Sequence, residues 1–173
     1  MKQTGLIQRV GTNGRFAIPA RIRRKLTIRD GETMEIFVDK DSIVLKKFSG
    51  VEELTSFNQK ICSILNNITD YDIIITDRIR VITALDQNLK PLEFKRVSNR
   101  LLEVINKRET ISSIESILIT DEIELTGNIT IVPIITSENC AGLVIIRNKT
   151  ENSSEMETMA RFISQLISFQ IDI

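Results

Sequence analysis

The chain has 173 residues, 42% of them hydrophobic, with 23 Lys and Arg balanced by 23 Asp and Glu, two cysteines and no histidine. This composition suits a folded protein with a real core, and the lack of histidine excludes Ser-His-Asp and Cys-His catalysis and His-containing metal sites. Cys62 and Cys140 alone cannot complete a structural zinc site and read as buried free thiols of a reducing compartment, so neither enzyme activity nor a metal or cofactor is expected.

The opening MKQTGLIQRV has no continuous apolar stretch, and later apolar runs such as Ile73-Ile74-Ile75 are short. Neither a signal peptide nor a membrane span is expected, and the chain reads as cytoplasmic. The neutral total hides two opposed halves. Residues 1–50 hold eleven basic and five acidic residues, and the remainder holds twelve basic and eighteen acidic ones. A basic arm on an acidic body is the pattern expected where one part meets a polyanion. Two domains follow, residues 1–50 and residues 51–173.

In the first domain, residues 4–10 read as a strand, Gly11-Thr12-Asn13-Gly14 as a turn and residues 15–18 as a second short strand. Pro19 suits the first turn of a helix running to about Leu26. Asp30-Gly31 is another turn, and residues 34–38 and 42–47 are strands joined through Asp39-Lys40-Asp41. So small a domain is marginal alone and is expected to pair with a second copy. In the second domain, Leu54, Phe57, Ile61, Ile64 and Ile68 mark a helix over 52–68. Residues 71–76 and 80–85 read as strands, 92–107 as a helix, and 116–120, 128–136 and 142–147 as strands. A last helix over 155–170 is capped by Ser153 or Ser154, with a seam of Met156, Met159, Ile163 and Leu166. An antiparallel sheet with helices on one or both faces accounts for that order, giving an α+β fold. The seams of the first and last helices either cover the sheet or are shared with a partner subunit.

The segment GRFAIPARIRRKL concentrates the positive charge. At 100° per residue, Ile22 and Leu26 share one side of the short helix and face a core, while Arg21, Arg24 and Lys25 fall opposite and Arg23 lies on the flank. Arg9, Arg15 and Lys2 add charge nearby. An arginine fork can bind phosphate oxygens bidentately or read guanine edges. All acidic residues of the first fifty lie from Asp30 onward, so a merely solvated basic face is the weaker alternative. A helix of two turns does not make a helix-turn-helix.

The segment TGLIQRVGTNGRFAIPARIRRKLTIRDGETMEIFVDKDSIVLKK closely resembles the DNA-binding domain of the AbrB-type transition-state regulators. The marks are Thr4-Gly5, Gly14-Arg15 before an apolar triplet, Ile18-Pro19, the Arg23-Arg24 pair and Met34-Glu35-Ile36-Phe37-Val38-Asp39. The resemblance covers nearly all of residues 2–48. It implies a swapped-hairpin β-barrel dimer, in which strands of two chains interleave, and a sequence-preferring transcription regulator that binds double-stranded DNA through the first turn and the short helix. Arg15, Arg23 and Arg24 match family arginines that contact DNA. A further basic position of the family falls on Gln8, with Arg9 adjacent. The family's acidic turn is Gly11-Thr12-Asn13 here and Arg21 stands where relatives often carry an acid, both of which favour phosphate attraction. The helix and strand order of residues 52–171 is consistent with a GAF domain, which the resemblance links to sensing of an unknown small-molecule ligand or to tetramer formation through helices 52–68 and 155–170. Thr83, Thr120, Ser137 and Asn139 are the polar residues near its strand ends. The resemblance also implies sporulation-stage regulation, as activator or repressor, and association with the nucleoid. The alternatives are an antitoxin, which shares the barrel but usually carries a disordered tail, and a small-molecule-binding module without direct regulation. A catalytic Cys140 lacks any base nearby in sequence.

Overall fold

The computed structural model describes residues 4–137, 139–149 and 154–172. The chain divides into two compact units, Met1–Phe48 and Ser49–Ile173.

In the first unit, Gly11 and Gly14 close a tight turn. The Gly11 N–H donates to the Arg15 carbonyl at 2.8 Å and the Gly14 N–H to the Gly11 carbonyl at 3.0 Å. Gly14 sits at φ +71°, a left-handed conformation that glycine adopts without a Cβ penalty. The segments 4–10 and 15–18, expected as strands, form no ladder among the described residues. Their apolar residues are left in solvent, Ile7 at 95% exposure.

Helix α1 spans Ala20–Lys25, with Pro19 as its N-cap rather than inside its first turn. It ends in a Schellman turn, where the Ile28 N–H reaches the Arg23 carbonyl at 2.8 Å and the Thr27 N–H the Arg24 carbonyl at 3.2 Å. Thr27 takes the left-handed position at φ +52°. Ile22 is half-buried as expected of a core-facing residue, but Leu26 is exposed, because it falls in the cap beyond the last helical turn.

Strands β1 (Met34–Asp39) and β2 (Ser42–Lys47) form an antiparallel hairpin closed by Lys40 and Asp41, in register from Met34 opposite Lys47 to Asp39 opposite Ser42. Side chains alternate faces along a strand. Ile36 opposite Leu45 and Val38 opposite Ile43 therefore make one apolar face. Within the chain that face is largely open, Val38 at 78% exposure. The other face holds Glu35 opposite Lys46, whose ammonium lies 4.7 Å from the centre of the Phe37 ring.

The second unit is a five-stranded antiparallel sheet in the order β4-β3-β7-β6-β5, built from β3 (Asp72–Asp77), β4 (Val81–Ala84), β5 (Ile111–Leu118), β6 (Glu124–Ile135) and β7 (Cys140–Asn148). Near-continuous runs such as Ile73-Ile74-Ile75 and Leu143-Val144-Ile145-Ile146 are buried on both faces. Ile74, Leu143 and Ile145 meet α4 (Asn99–Lys107) through Leu101, Val104 and Ile105. Ile73, Ile75, Val144 and Ile146 meet α3 (Thr55–Asn66) and α5 (Ser154–Ile171) through Cys62, Met156, Ala160, Ile163 and Ile167. Each fully buried isoleucine contributes about 1.5–3 kcal/mol.

The expected helix over 52–68 is two pieces, α2 (Gly50–Glu53) and α3, divided at Leu54. The Ser49 side chain caps α2 by accepting from the Glu52 N–H at 3.2 Å. The buried Asn58 amide ties the pieces by donating to the Val51 carbonyl at 2.9 Å. The expected helix over 92–107 also starts later. Lys90–Leu92 is a single tight turn around Pro91, followed by a turn at Glu93 and Phe94 and a short stretch outside any helix before Ser98. The Ser98 hydroxyl accepts from the Leu101 N–H at 3.2 Å, which starts α4 at Asn99. Of the two cap candidates for the last helix, Ser153 lies outside the described residues and Ser154 is the first residue of α5.

Candidate nucleic-acid interface

The basic face is built on the turn at 11–14 and on α1. Arg15 leaves the turn directly after Gly14. Arg23, Arg24 and Lys25 form the last turn of α1, where cations complement the partial negative charge of the helix C-terminus. Arg9, Arg15, Arg21, Arg24 and Lys25 are exposed and, among the described residues, take part in no ion pair. Lys2 lies outside the described residues. Unlike the others, Arg23 is half-buried, with Nη1 2.7 Å from Asp30 Oδ1.

That pair corrects the expectation that no acid neutralises the basic segment. The Schellman turn reverses the chain after Leu26 and returns Asp30 to the helix flank. The only sequence signal for it is the seven-residue spacing beyond a short helix. Lys47, a cation of the same unit, is turned to structural work: its ammonium lies 3.2 Å from Glu32 Oε1 and donates to the Thr27 carbonyl at 2.7 Å. Glu32 Oε2 in turn accepts from the Arg29 N–H at 2.9 Å. This arrangement clamps the segment after α1 to β2.

In the second unit, the polar residues near the strand ends do not gather into one site. Thr83 is fully buried with its hydroxyl unpartnered among the described residues. The Thr120 hydroxyl accepts from the N–H groups of Glu122 and Ile123 in a turn. Ser137 donates to Asp172 at 2.9 Å, and Asn139 Oδ1 accepts from Arg78 at 2.8 Å. Both cysteines are buried and free. Burial pushes the Cys62 thiol up to about 12. It also raises that of Cys140, which donates to the Gly142 carbonyl at 3.3 Å. Neither is poised as a nucleophile. Among the described residues no cluster of His, Cys, Asp and Glu could hold a metal ion, and no helix is long and apolar enough to cross a membrane.

Residues 53–171 match the family model described as stage V sporulation protein T C-terminal, transcription factor. Over 164 residues, 92% of each chain, the sequence is 32% identical to stage V sporulation protein T of Bacillus subtilis (strain 168). The chain belongs to the stage V sporulation protein T family. It is accordingly a DNA-binding transcription regulator of the sporulation type. A stretch of 48 residues of the chain is also 44% identical to the transition state regulatory protein AbrB of the same organism. That match covers 28% of this chain and half of AbrB. Residues 7–49 match the model described as antidote-toxin recognition MazE, bacterial antitoxin. The type II free methionine-R-sulfoxide reductase from Thermoplasma acidophilum superposes with a TM-score of 0.52 at 14% identity, covering 70% of this chain and 94% of that one. At that identity the likeness is one of fold alone.

Proposed function

We propose that residues 1–50 bind double-stranded DNA as a swapped-hairpin dimer. Arg15, Arg23 and Arg24 contact the nucleic acid, with Arg9, Arg21, Lys25 and Lys2 adding phosphate attraction. The observation that carries this reading is the pairing of two surfaces in one unit of 48 residues. One is a set of exposed cations without partners among the described residues. The other is a set of open apolar surfaces on the hairpin and on the unladdered segments at Ile7, Val10 and Phe16. Apolar surface of that extent is costly in a monomer and fits burial against a second chain. Interleaving segments 4–10 and 15–18 with those of a partner would give them ladders and close the barrel. Two copies of the basic face would then meet one duplex.

The second unit, read as GAF-like, joins dimers into a tetramer. The seam predicted on the first helix divides: Leu54 and Ile61 pack against the core beside Asn58 and Cys62, while Ile64 and, just beyond the helix, Ile68 are exposed. On α5 the residues facing the sheet are Met156, Ala160, Ile163 and Ile167. Met159 packs against the edge of that core, and Phe162, Leu166 and Phe169 continue from it as an outer stripe, with Phe162 and Phe169 well exposed. These stripes favour self-association over ligand sensing as the role of this unit. A folded unit of this size also argues against an antitoxin, and the protein acts as a non-catalytic regulator in the cytoplasm, on the nucleoid.

Two chains placing about four to six cations each on phosphates give a slope of log K against log salt on the order of −7 to −10. Titrating labelled duplex at several salt concentrations checks this, and a flat dependence overturns the DNA-binding surface. A metabolite that shifts the thermal unfolding of the second unit would restore the sensing role.

A further inference from the structure

The second unit carries a charge concentration of its own. Residues 77–100 hold six of its twelve Lys and Arg but only three of its eighteen Asp and Glu. The structure draws the centre of that segment to the β4 edge of the sheet. The turn after β3 is fixed by the buried Asp77 carboxylate, which accepts from the N–H groups of Ile79 at 2.6 Å and Arg80 at 2.7 Å. The segment 95–97 then lies along β4. Val97 N–H donates to the Ile79 carbonyl at 2.9 Å and Val81 N–H to the Lys95 carbonyl at 3.0 Å.

Three features of this edge are unusual for mere structure. Arg80 stands directly opposite Arg96, and like charges at facing positions repel. Arg80 is paired with Glu52, but Lys95 and Arg96 are exposed and have no ion-pair partner among the described residues. Phe94 and Lys95 both oppose Val81 in a bulge, and Phe94 holds the left-handed position at φ +66°, where glycine is favoured. Its ring is nonetheless 63% exposed, with Ile79 also exposed on the same edge. Finally, the bonds to β4 are made by Lys95 and Val97 on either side of Arg96. The N–H and C=O of Arg96 therefore point away from β4, toward open edge.

We propose that this edge docks an extended acidic segment of another protein that carries apolar side chains between its carboxylates. Such a segment adds to the sheet edge through Arg96, satisfies Lys95 and Arg96, and covers Phe94 and Ile79. A DNA backbone would satisfy the cations but offers nothing apolar to the phenyl ring or Ile79, so an acidic protein segment fits the whole surface better. A strained, exposed aromatic beside free cations is the composition of an interface hot spot.

The test uses the full chain and three labelled probes in anisotropy titrations: a peptide alternating Asp with Leu and Phe, an Asp-only peptide of equal charge, and a random-sequence duplex. The alternating peptide should bind more tightly than the Asp-only one. Phe94→Gly should weaken it about tenfold while leaving the unfolding temperature unchanged or raised, since glycine accepts the backbone conformation. Lys95→Glu with Arg96→Glu should abolish it. The proposal is overturned if neither peptide binds, if both bind equally, or if Phe94→Gly leaves peptide binding unchanged. It is also overturned if the charge reversal weakens duplex binding and spares the peptide, which would make the patch a DNA contact.

Discussion

Arg23 and Asp30 are joined across the end of α1, Nη1 to Oδ1 at 2.7 Å, with the aspartate side chain 95% exposed. An exposed pair of this kind contributes at most about 1 kcal/mol to stability. Its greater effect is on the cation, because the carboxylate competes with phosphate for the same guanidinium. Asp30→Asn should therefore leave thermal stability nearly unchanged and tighten duplex binding about fivefold at low salt, corresponding to ~1 kcal/mol. Anisotropy titrations of wild type and variant decide it, and unchanged affinity would place Arg23 away from the DNA.

Removing the arginines themselves should act in the opposite sense. Arg23→Ala with Arg24→Ala deletes four cations from a dimer. If each neutralises one phosphate, the slope of log K against log salt becomes shallower by about 3–4. Folding should persist, since Arg24 is exposed and, among the described residues, the Arg23 side chain is paired with an exposed acid. Unchanged binding with unchanged slope would remove this face from the interface.

The sequence reveals most where one chain supplies both partners of a contact. The β1–β2 hairpin, β3, β4, β7 and α5 lie within two residues of their expected places, because alternation and helical spacing report burial within the chain, while β5 and β6 begin five and four residues earlier than expected. The failures have local causes. Pro91 and the Ser98 cap split what periodicity alone merges into one helix, and on α3 the buried polar Asn58 lies outside the apolar seam, of which Leu54 and Ile61 are covered and Ile64 and Ile68 are not. The segments 4–10 and 15–18 carry strand patterns but form no ladder among the described residues. At the candidate interface the cations were legible from charge alone. The Arg23–Asp30 pair was not, because it depends on the left-handed turn at Thr27.

Gly142 shows how closely β3 and β7 approach. A Cβ built there would stand 1.9 Å from the Thr76 carbonyl oxygen and 2.9 Å from the Asp77 Cα. Both are backbone atoms of the neighbouring strand, so no side-chain rotation relieves the clash. Gly142→Ala should destabilise the second unit by about 4 kcal/mol or more, at the upper end for single substitutions. Chemical unfolding followed by circular dichroism measures it, and a loss below ~1 kcal/mol would show that the sheet opens freely there.

Cys62 makes the stability of the second unit depend on alkaline pH. Burial raises its pKa from the usual 9.0 to about 12 in the folded state. Below pH 9 both folded and unfolded chains hold the proton, and the thiol contributes its full packing. Above pH 9 the unfolded chain releases the proton and the folded chain keeps it, so stability falls as pH rises toward 12. The slope is about 1.4 kcal/mol per pH unit. The stability advantage of wild type over Cys62→Ala should shrink from pH 9 upward, at about half that rate at pH 9 and close to the full rate by about pH 10.5. A constant difference would mean that the thiol ionises equally in both states.

The outer stripe of α5 provides the sharpest test of assembly. Phe162 and Phe169 lie seven residues apart on the side away from the sheet, and both are exposed, Phe169 at 68%. Neither belongs to the core that α5 shares with β6 and β7. Phe162→Ser with Phe169→Ser should therefore leave the fold of the second unit intact. Burying two phenyl rings per chain favours association by several kcal/mol, about 1.5–3 kcal/mol per ring, so the double substitution should convert a tetramer into a dimer held by the first unit alone. Light scattering coupled to gel filtration reads the mass directly. If the four-chain mass survives both substitutions, the helices are not the tetramer interface. A two-chain mass for the wild type would mean that the stripes serve no second dimer. Ile64→Lys made alone tests α3 separately, since it places a charge on the exposed end of the seam without touching Cys62 or Asn58.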